Sequence, residues 1–188
     1  MTASAGDAAV GADLRDDARR VLSGWRPADR GQLALREAFG TLLEARPDAC
    51  LRSCAPGHLT ASAIVLDDAA EHVLLTLHPR VGAWLQLGGH CEPEDRSLAE
   101  AALREATEES GIAGLEMATE PVHLDVHGIT CSLGSPTRHF DVRFAVRAPR
   151  GAAAVRSAES DDLRWWPVAD LPAGSDLRDP VAAALRTV

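Results

Sequence analysis

The chain has 188 residues and a formal net charge of −9, with no lysine and no tyrosine, and all 19 basic residues are arginine. That length fits one domain, or one domain with an extension, and suffices to bury about 70% of the unfolded surface. The acidic balance argues against a nucleic-acid backbone as the main partner. No apolar stretch approaches the roughly 18 residues that span a membrane.

The N-terminus has no basic segment leading into an apolar run, so no signal peptide is indicated and a cytoplasmic location is expected. Residues 1–11 are small and polar and are expected to be disordered. Two helical patterns follow. Ala12 to Trp25 carries Leu14, Ala18, Val21 and Leu22 as its stripe, and Arg30 to Glu44 carries Leu33, Leu35, Phe39, Leu42 and Leu43. Pro27 separates them. Residues 12–57 are thus expected to form a helical extension packed on the domain, serving as a lid, a subunit contact in a homodimer, or a cover on the core.

From His58 the pattern changes to short strands. Leu59 to Leu66 and His72 to Leu77 are apolar and β-prone, joined at Asp67-Asp68. Trp84 to Leu87 leads into a glycine turn. Further on, Val122 to His127 and His139 to Val146 alternate. Val122, Leu124 and Val126 oppose His123, Asp125 and His127; Phe140, Val142, Phe144 and Val146 oppose His139, Asp141 and Arg143. The polar faces either line a pocket together with His90 or form an exposed sheet surface. Leu163 to Val168 reads as a last strand and Pro180 to Thr187 as a closing helix. Strands mixed with a central helix indicate an α+β fold with a mixed sheet between helices.

Cys50, Cys54, Cys91 and Cys131 are not spaced as a disulfide framework. Cys50, Cys54 and His58 can be read as zinc ligands lacking a fourth partner, or as buried thiols beside an unrelated histidine. Trp84, Trp165 and Trp166 suit either the core or stacking on a base.

The most informative stretch is LGGHCEPEDRSLAEAALREATEESGI, Leu87 to Ile112. Ser97 and Glu100 fit a capping box, and Gly111 fits the residue just past a helix end, so a helix is predicted over Leu98 to Ser110. Glu105, Glu108 and Glu109 fall within an arc of roughly 100°, at the edge of a face holding Leu98, Ala101 and Ala102. Like charges at these spacings weaken a helix by a few tenths of a kcal/mol per pair, roughly, which makes sense if a cation sits among them. Hard divalent cations prefer oxygen ligands and often bridge carboxylates to phosphates. Arg104 lies beside Glu108 and Glu100, positioned to hold the carboxylates.

This stretch resembles the signature of the Nudix hydrolase family. Arg104-Glu105-Ala106-Thr107-Glu108-Glu109-Ser110-Gly111-Ile112 matches its second half without a gap, and Gly89 matches its opening glycine. Asp95 stands where the family has its first glutamate, and eight residues, one more than usual, separate it from Arg104. The extra residue is expected near Arg96, where a loop absorbs it.

The resemblance implies a Nudix-like α/β/α sandwich, with the catalytic domain over residues 58–188, and hydrolysis of a diphosphate linkage in a small molecule, with Mg²⁺ or Mn²⁺ as cofactor. It implies Glu105, Glu108 and Glu109 as metal ligands, one of them or a later loop carboxylate as base, and Arg104 as an orienting group. A backbone carbonyl of Gly88 or Gly89 is a plausible further ligand, because glycine lets the backbone approach closely. Glu92 matches an acidic position common in the family's glycine loop. Of the acidic residues before Trp165, Glu159 is the first candidate for an additional ligand; a solvated acidic loop is the bland alternative. Since the overall charge repels an anionic substrate, local cations must reverse the field. A non-catalytic nucleotide-binding module and an allylic-diphosphate isomerase are the competing readings, and fold analogy alone does not choose a substrate.

Overall fold

The nine residues HLTASAIVL form β1 (His58–Leu66), and all of them are buried. Covered on both faces, the strand reads as a near-continuous small and apolar run rather than an alternating one. The computed structural model describes residues 5–130, 134 and 136–188, with side chains from residue 13 onward. The other strands are β2 (His72–His78), β3 (Ala83–Leu85), β4 (Leu87–His90), β5 (Glu116–Thr130), β6 (Pro136–Arg147) and β7 (Asp162–Pro167). They form a seven-stranded mixed sheet in the order β3-β2-β1-β6-β5, with β4 paired to β1 and β7 to β2. The helices are α1 (Ala5–Gly24), α2 (Arg30–Ala45), α3 (Leu98–Ser110) and α4 (Arg178–Ala184). Among the described residues, no helix is long and apolar enough to cross a membrane.

By contacts the chain forms two compact units, each drawn from three stretches. β1, β4, β5, β6 and α3 each contribute to both. The second unit comprises Ser62–Gly89, Ala102–His123 and Arg143–Val188. Here the two-residue period of β1 sorts side chains into two cores. Ala63 and Val65 join Leu74, Leu87, Ala106 and Ile112 on one face. Ile64 and Leu66 join Val73, Leu75, Val181 and Ala184 on the other. The first core is closed by α3 and the second by α4, so this unit alone has the helix–sheet–helix layering. The β1–β2 pair is antiparallel with Val65 opposite Leu74. Its turn is closed by Asp67, whose Oδ1 accepts the N–H groups of Glu71 and His72 at 2.8 and 3.1 Å. Strands β3 and β7 both run antiparallel to β2.

The first unit comprises Met1–Ala61, His90–Ala101 and Leu124–Val142. α1 is helical from Ala5 rather than Ala12, so the expected disorder does not extend over residues 5–11, and residues 1–4 lie outside the described residues. Leu14, Ala18 and Leu22 are buried as the stripe requires. In α2, Phe39 and Leu43 are buried but Leu33 is 40% exposed. The first turn of α2 is fixed instead by Asp29, whose side chain accepts the Gln32 N–H at 2.9 Å as an N-cap. Arg15 donates from Nε and Nη2 to the Leu43 carbonyl at 2.8 and 2.6 Å, satisfying an orphan acceptor of the last turn. Gln32 grips β5, donating to the Leu124 carbonyl at 3.0 Å and accepting the Leu124 N–H at 2.6 Å. One amide side chain thereby supplies both hydrogen bonds that a neighbouring strand would offer. The ring of Phe39 meets that of Phe140 edge to face at 5.1 Å.

The central helix is the one the sequence predicts, Leu98–Ser110. The Ser97 hydroxyl accepts the Glu100 N–H at 3.0 Å. Buried Asp17 of α1 accepts the Leu98 N–H at 2.9 Å, a second cap that comes from far along the chain. Gly111 closes the helix at φ +65°, with its N–H on the Thr107 carbonyl at 2.8 Å.

Candidate active site

The glutamates of α3 are graded by depth. Glu109 is 9% exposed; the side chain of Glu105 is 14% exposed and that of Glu108 60%. A helix whose arc crosses the edge of its packed face produces this gradient. The Glu109 carboxylate accepts the Gly88 N–H at 3.1 Å. A Cβ added to Gly89 would lie 2.7 Å from the Glu105 carboxyl carbon, so glycine is required there for the backbone to meet the carboxylate. Arg104 donates from Nη1 to Glu105 at 3.1 Å and to Glu108 at 3.2 Å. Glu100 turns toward the start of the helix, where its Oε2 accepts the Arg96 N–H at 2.9 Å.

Electrostatics set the protonation of this group. Burial, reinforced by the negative charges of Glu105, Glu159 and Glu108, pushes the Glu109 carboxyl up to about 8 against the opposing Gly88 N–H. Burial also raises Glu105, with Glu108 and Glu159 adding to the effect and Arg104 resisting it. Glu159 is therefore close enough to be felt by both. Its loop is anchored by Thr76, which donates to the Ser160 hydroxyl at 2.6 Å, by the Asp161 N–H on the Leu77 carbonyl at 3.0 Å, and by Arg156 on the Ser160 carbonyl. Asp162, by contrast, is engaged with Arg164 at 2.7 Å.

All of these groups belong to the second unit. Glu92 and Asp95 belong to the first. Asp95 is buried, and its carboxylate accepts the Glu92 N–H at 2.7 Å, which closes the acidic loop. Glu92 itself is exposed.

Asp141 is buried and accepts the Thr60 hydroxyl at 2.9 Å. His127 pairs with Asp125 at 2.7 Å. His139 meets His58, His90 and His127 with ring centroids 5.1, 4.9 and 5.2 Å away. Cys50 and Cys54 are buried free thiols, the second of the two readings open to them, and the ligand atoms of His58 group with those of His90 and His139. Burial pushes the Cys50 thiol up to about 12 and raises Cys54 as well. Cys131 lies outside the described residues. Burial lowers His58, and brings His90 down to about 3 and His139 to about 4. Trp84 and Trp166 pack edge to face at 5.2 Å beneath the Arg164 guanidinium, and Trp165 packs on the α3 core, which favours the core reading for all three.

The NUDIX domain profile matches residues 56–186. No curated protein matches the chain. Among solved structures, a MutT NUDIX hydrolase from Burkholderia pseudomallei is similar at 25% identity, covering 70% of this chain and 98% of that one, with a TM-score of 0.50. A NUDIX-family hydrolase from Clostridium perfringens is similar at 23% identity, over 68% and 94% of the two chains, TM-score 0.50. The MutT protein of Methanosarcina mazei Go1 is similar at 21% identity, over 71% and 96%, TM-score 0.50. The profile spans more than two thirds of the chain, and the arginine-bound glutamate helix lies within it: the protein belongs to the NUDIX domain family and is a Nudix-type pyrophosphohydrolase.

Proposed function

We propose that the chain hydrolyses a diphosphate linkage in a nucleoside diphosphate derivative or a related small molecule, with Mg²⁺ or Mn²⁺ held by Glu105, Glu108 and Glu109. The observation that carries this reading is the convergence of several carboxylates on one spot, among them the nearly buried Glu109, pushed up to about 8 by burial and like charge. Such a cluster repels a diphosphate unless cations stand between them. The donor set is all oxygen and suits a hard divalent ion. The close approach of Gly89 to Glu105 brings backbone beside the carboxylates, so a carbonyl of Gly88 or Gly89 is assigned as a further ligand. Glu159 is assigned as an additional carboxylate on the strength of its charge effect on Glu105 and Glu109.

When bound, the ion neutralises the diphosphate oxygens and lowers the pKa of a bound water. The chain's own part is positional. Arg104 bridges Glu105 and Glu108 and fixes their spacing, so it is a positioning residue. The Gly88 N–H orients Glu109. The general base is one of the four carboxylates, and replacing each by its amide distinguishes them. The test is a panel of nucleoside triphosphates, sugar nucleotides, dinucleoside polyphosphates and coenzyme A, each with Mg²⁺ and with Mn²⁺, following phosphate release and product identity. Turnover that survives rigorous chelation overturns the metal-centred reading.

A further inference from the structure

We propose that His58, His90 and His139 form a binding site for a zinc-class transition-metal ion, sharing no residue with the glutamate set. Their three candidate ligand atoms all lie within 4.8 Å of one another. Three nitrogens around a tetrahedral zinc are about 3.3 Å apart, given Zn–N distances near 2.0–2.1 Å. Ring rotations of about an ångström therefore close the set. The three residues come from separate places in the first unit: the start of β1, the end of β4 and the first third of β6.

Unsatisfied atoms supply the independent argument. His58 is 1% exposed and His139 9% exposed. Nε2 of each is buried and has no hydrogen-bond partner among the described residues. A buried polar atom left unpaired costs about 1–3 kcal/mol, and two of them on rings 5.1 Å apart call for a ligand they share. A metal ion satisfies both through the lone pairs of neutral imidazoles, and burial keeps these rings neutral. Nδ1 of His58 faces the Cys54 carbonyl at 3.5 Å, which directs Nε2 toward the cluster. Arg52 is a cation whose charge reaches all three rings; at His139, His127 acts in the same direction and Asp141 opposes them.

The donor set selects the ion. Imidazole nitrogens suit Zn²⁺, Cu²⁺, Ni²⁺ and Co²⁺, whereas Mg²⁺ prefers oxygen. Three protein ligands leave a fourth position for a solvent molecule.

The test titrates the metal-stripped full chain with Zn²⁺ alone, and separately with Co²⁺ alone, in excess Mg²⁺. The expected result is one tightly bound Zn²⁺ per chain, a higher thermal midpoint, and visible Co²⁺ absorption of the four-coordinate type. His58→Gln and His139→Gln should each weaken binding by about 100-fold or more. The Glu105→Gln/Glu109→Gln double variant should keep the Co²⁺ spectrum. Binding that is unchanged in the histidine variants, or lost in the glutamate variant, overturns the proposal. Should the histidine variants fail to fold, ring ¹⁵N spectra of the unmodified chain decide. Zn²⁺ must then shift the signals of His58, His90 and His139, and their constancy overturns the site.

Discussion

Replacing Gly89 by alanine should separate activity from stability. The new Cβ would sit 2.7 Å from the Cδ and Oε1 of Glu105 and 2.8 Å from its Oε2. Ordinary contact needs nearly another ångström, so something has to move. The obstructing atoms are the far end of a flexible side chain, and Gly89 is not among the glycines with positive φ. The backbone therefore accepts alanine, and the Glu105 carboxylate retreats. Misplacing a reacting constellation by about 1 Å costs on the order of 100-fold in rate, or about 2.7 kcal/mol of transition-state stabilisation. Stability should change by less than about 1 kcal/mol, because alanine also reduces the freedom of the unfolded chain. The assay is turnover at saturating Mg²⁺ alongside thermal melting, for Gly89→Ala, Glu105→Ala and the double variant. Because both changes act through one carboxylate, the double variant should be little worse than Glu105→Ala alone. Unimpaired turnover in Gly89→Ala, or fully additive losses, would refute the idea that Gly89 exists to admit Glu105.

Glu108→Gln and Glu109→Gln should each lower turnover by about 100-fold or more, and Arg104→Lys should lower it as well, because lysine lacks the planar fork; near-normal kinetics in both glutamate variants would contradict the assigned roles. In the metal-free chain the thermal midpoint should pass through a maximum near neutral pH, measured by calorimetry from pH 4 to 9. On the acid side, the unfolded chain protonates its histidines below 6.5 while folded His90 and His139 hold out to about 3 and about 4, so stability falls with pH. On the alkaline side, Glu109 ionises near 4.5 when unfolded but only at about 8 when folded, so stability falls as pH rises through that window. Mg²⁺ should abolish the alkaline decline, and a metal-free midpoint still climbing at pH 8 would contradict the raised Glu109. Gln32→Ala removes both hydrogen bonds to Leu124 and should cost about 1–3 kcal/mol in denaturant unfolding; an unchanged midpoint would mean water replaces the amide.

Legibility in the sequence followed the range of the interactions. The limits of α3 were readable because Ser97, Glu100 and Gly111 act within one turn of the helix ends. The convergence of Glu105, Glu108 and Glu109 was readable because helical geometry fixes it. Glu159 could be nominated only from its acidic surroundings, since what brings its charge to bear on Glu109 is a loop tied to β2 by Thr76 and Leu77, far away in sequence. The second cap of α3 was invisible for the same reason, because Asp17 lies 81 residues from Leu98. The strand ends were misjudged where pairing outran local propensity: β5 runs from Glu116 to Thr130, well beyond its alternating centre.

The histidines show the limit most clearly. Spacing drew His58 toward Cys50 and Cys54, its near neighbours in the chain, and alternation assigned His139 to a polar strand face. Neither rule reports that β1 and β6 are adjacent in the sheet, and it is that adjacency that allows His58 and His139 to meet. Cys50 and Cys54 are buried thiols raised by burial, while His58 and His139 each carry a buried nitrogen without a partner among the described residues. Metal-ligand character in this chain therefore follows from which strands pair, and the ligand set changes from sulfur and nitrogen at short spacing to three nitrogens drawn from β1, β4 and β6.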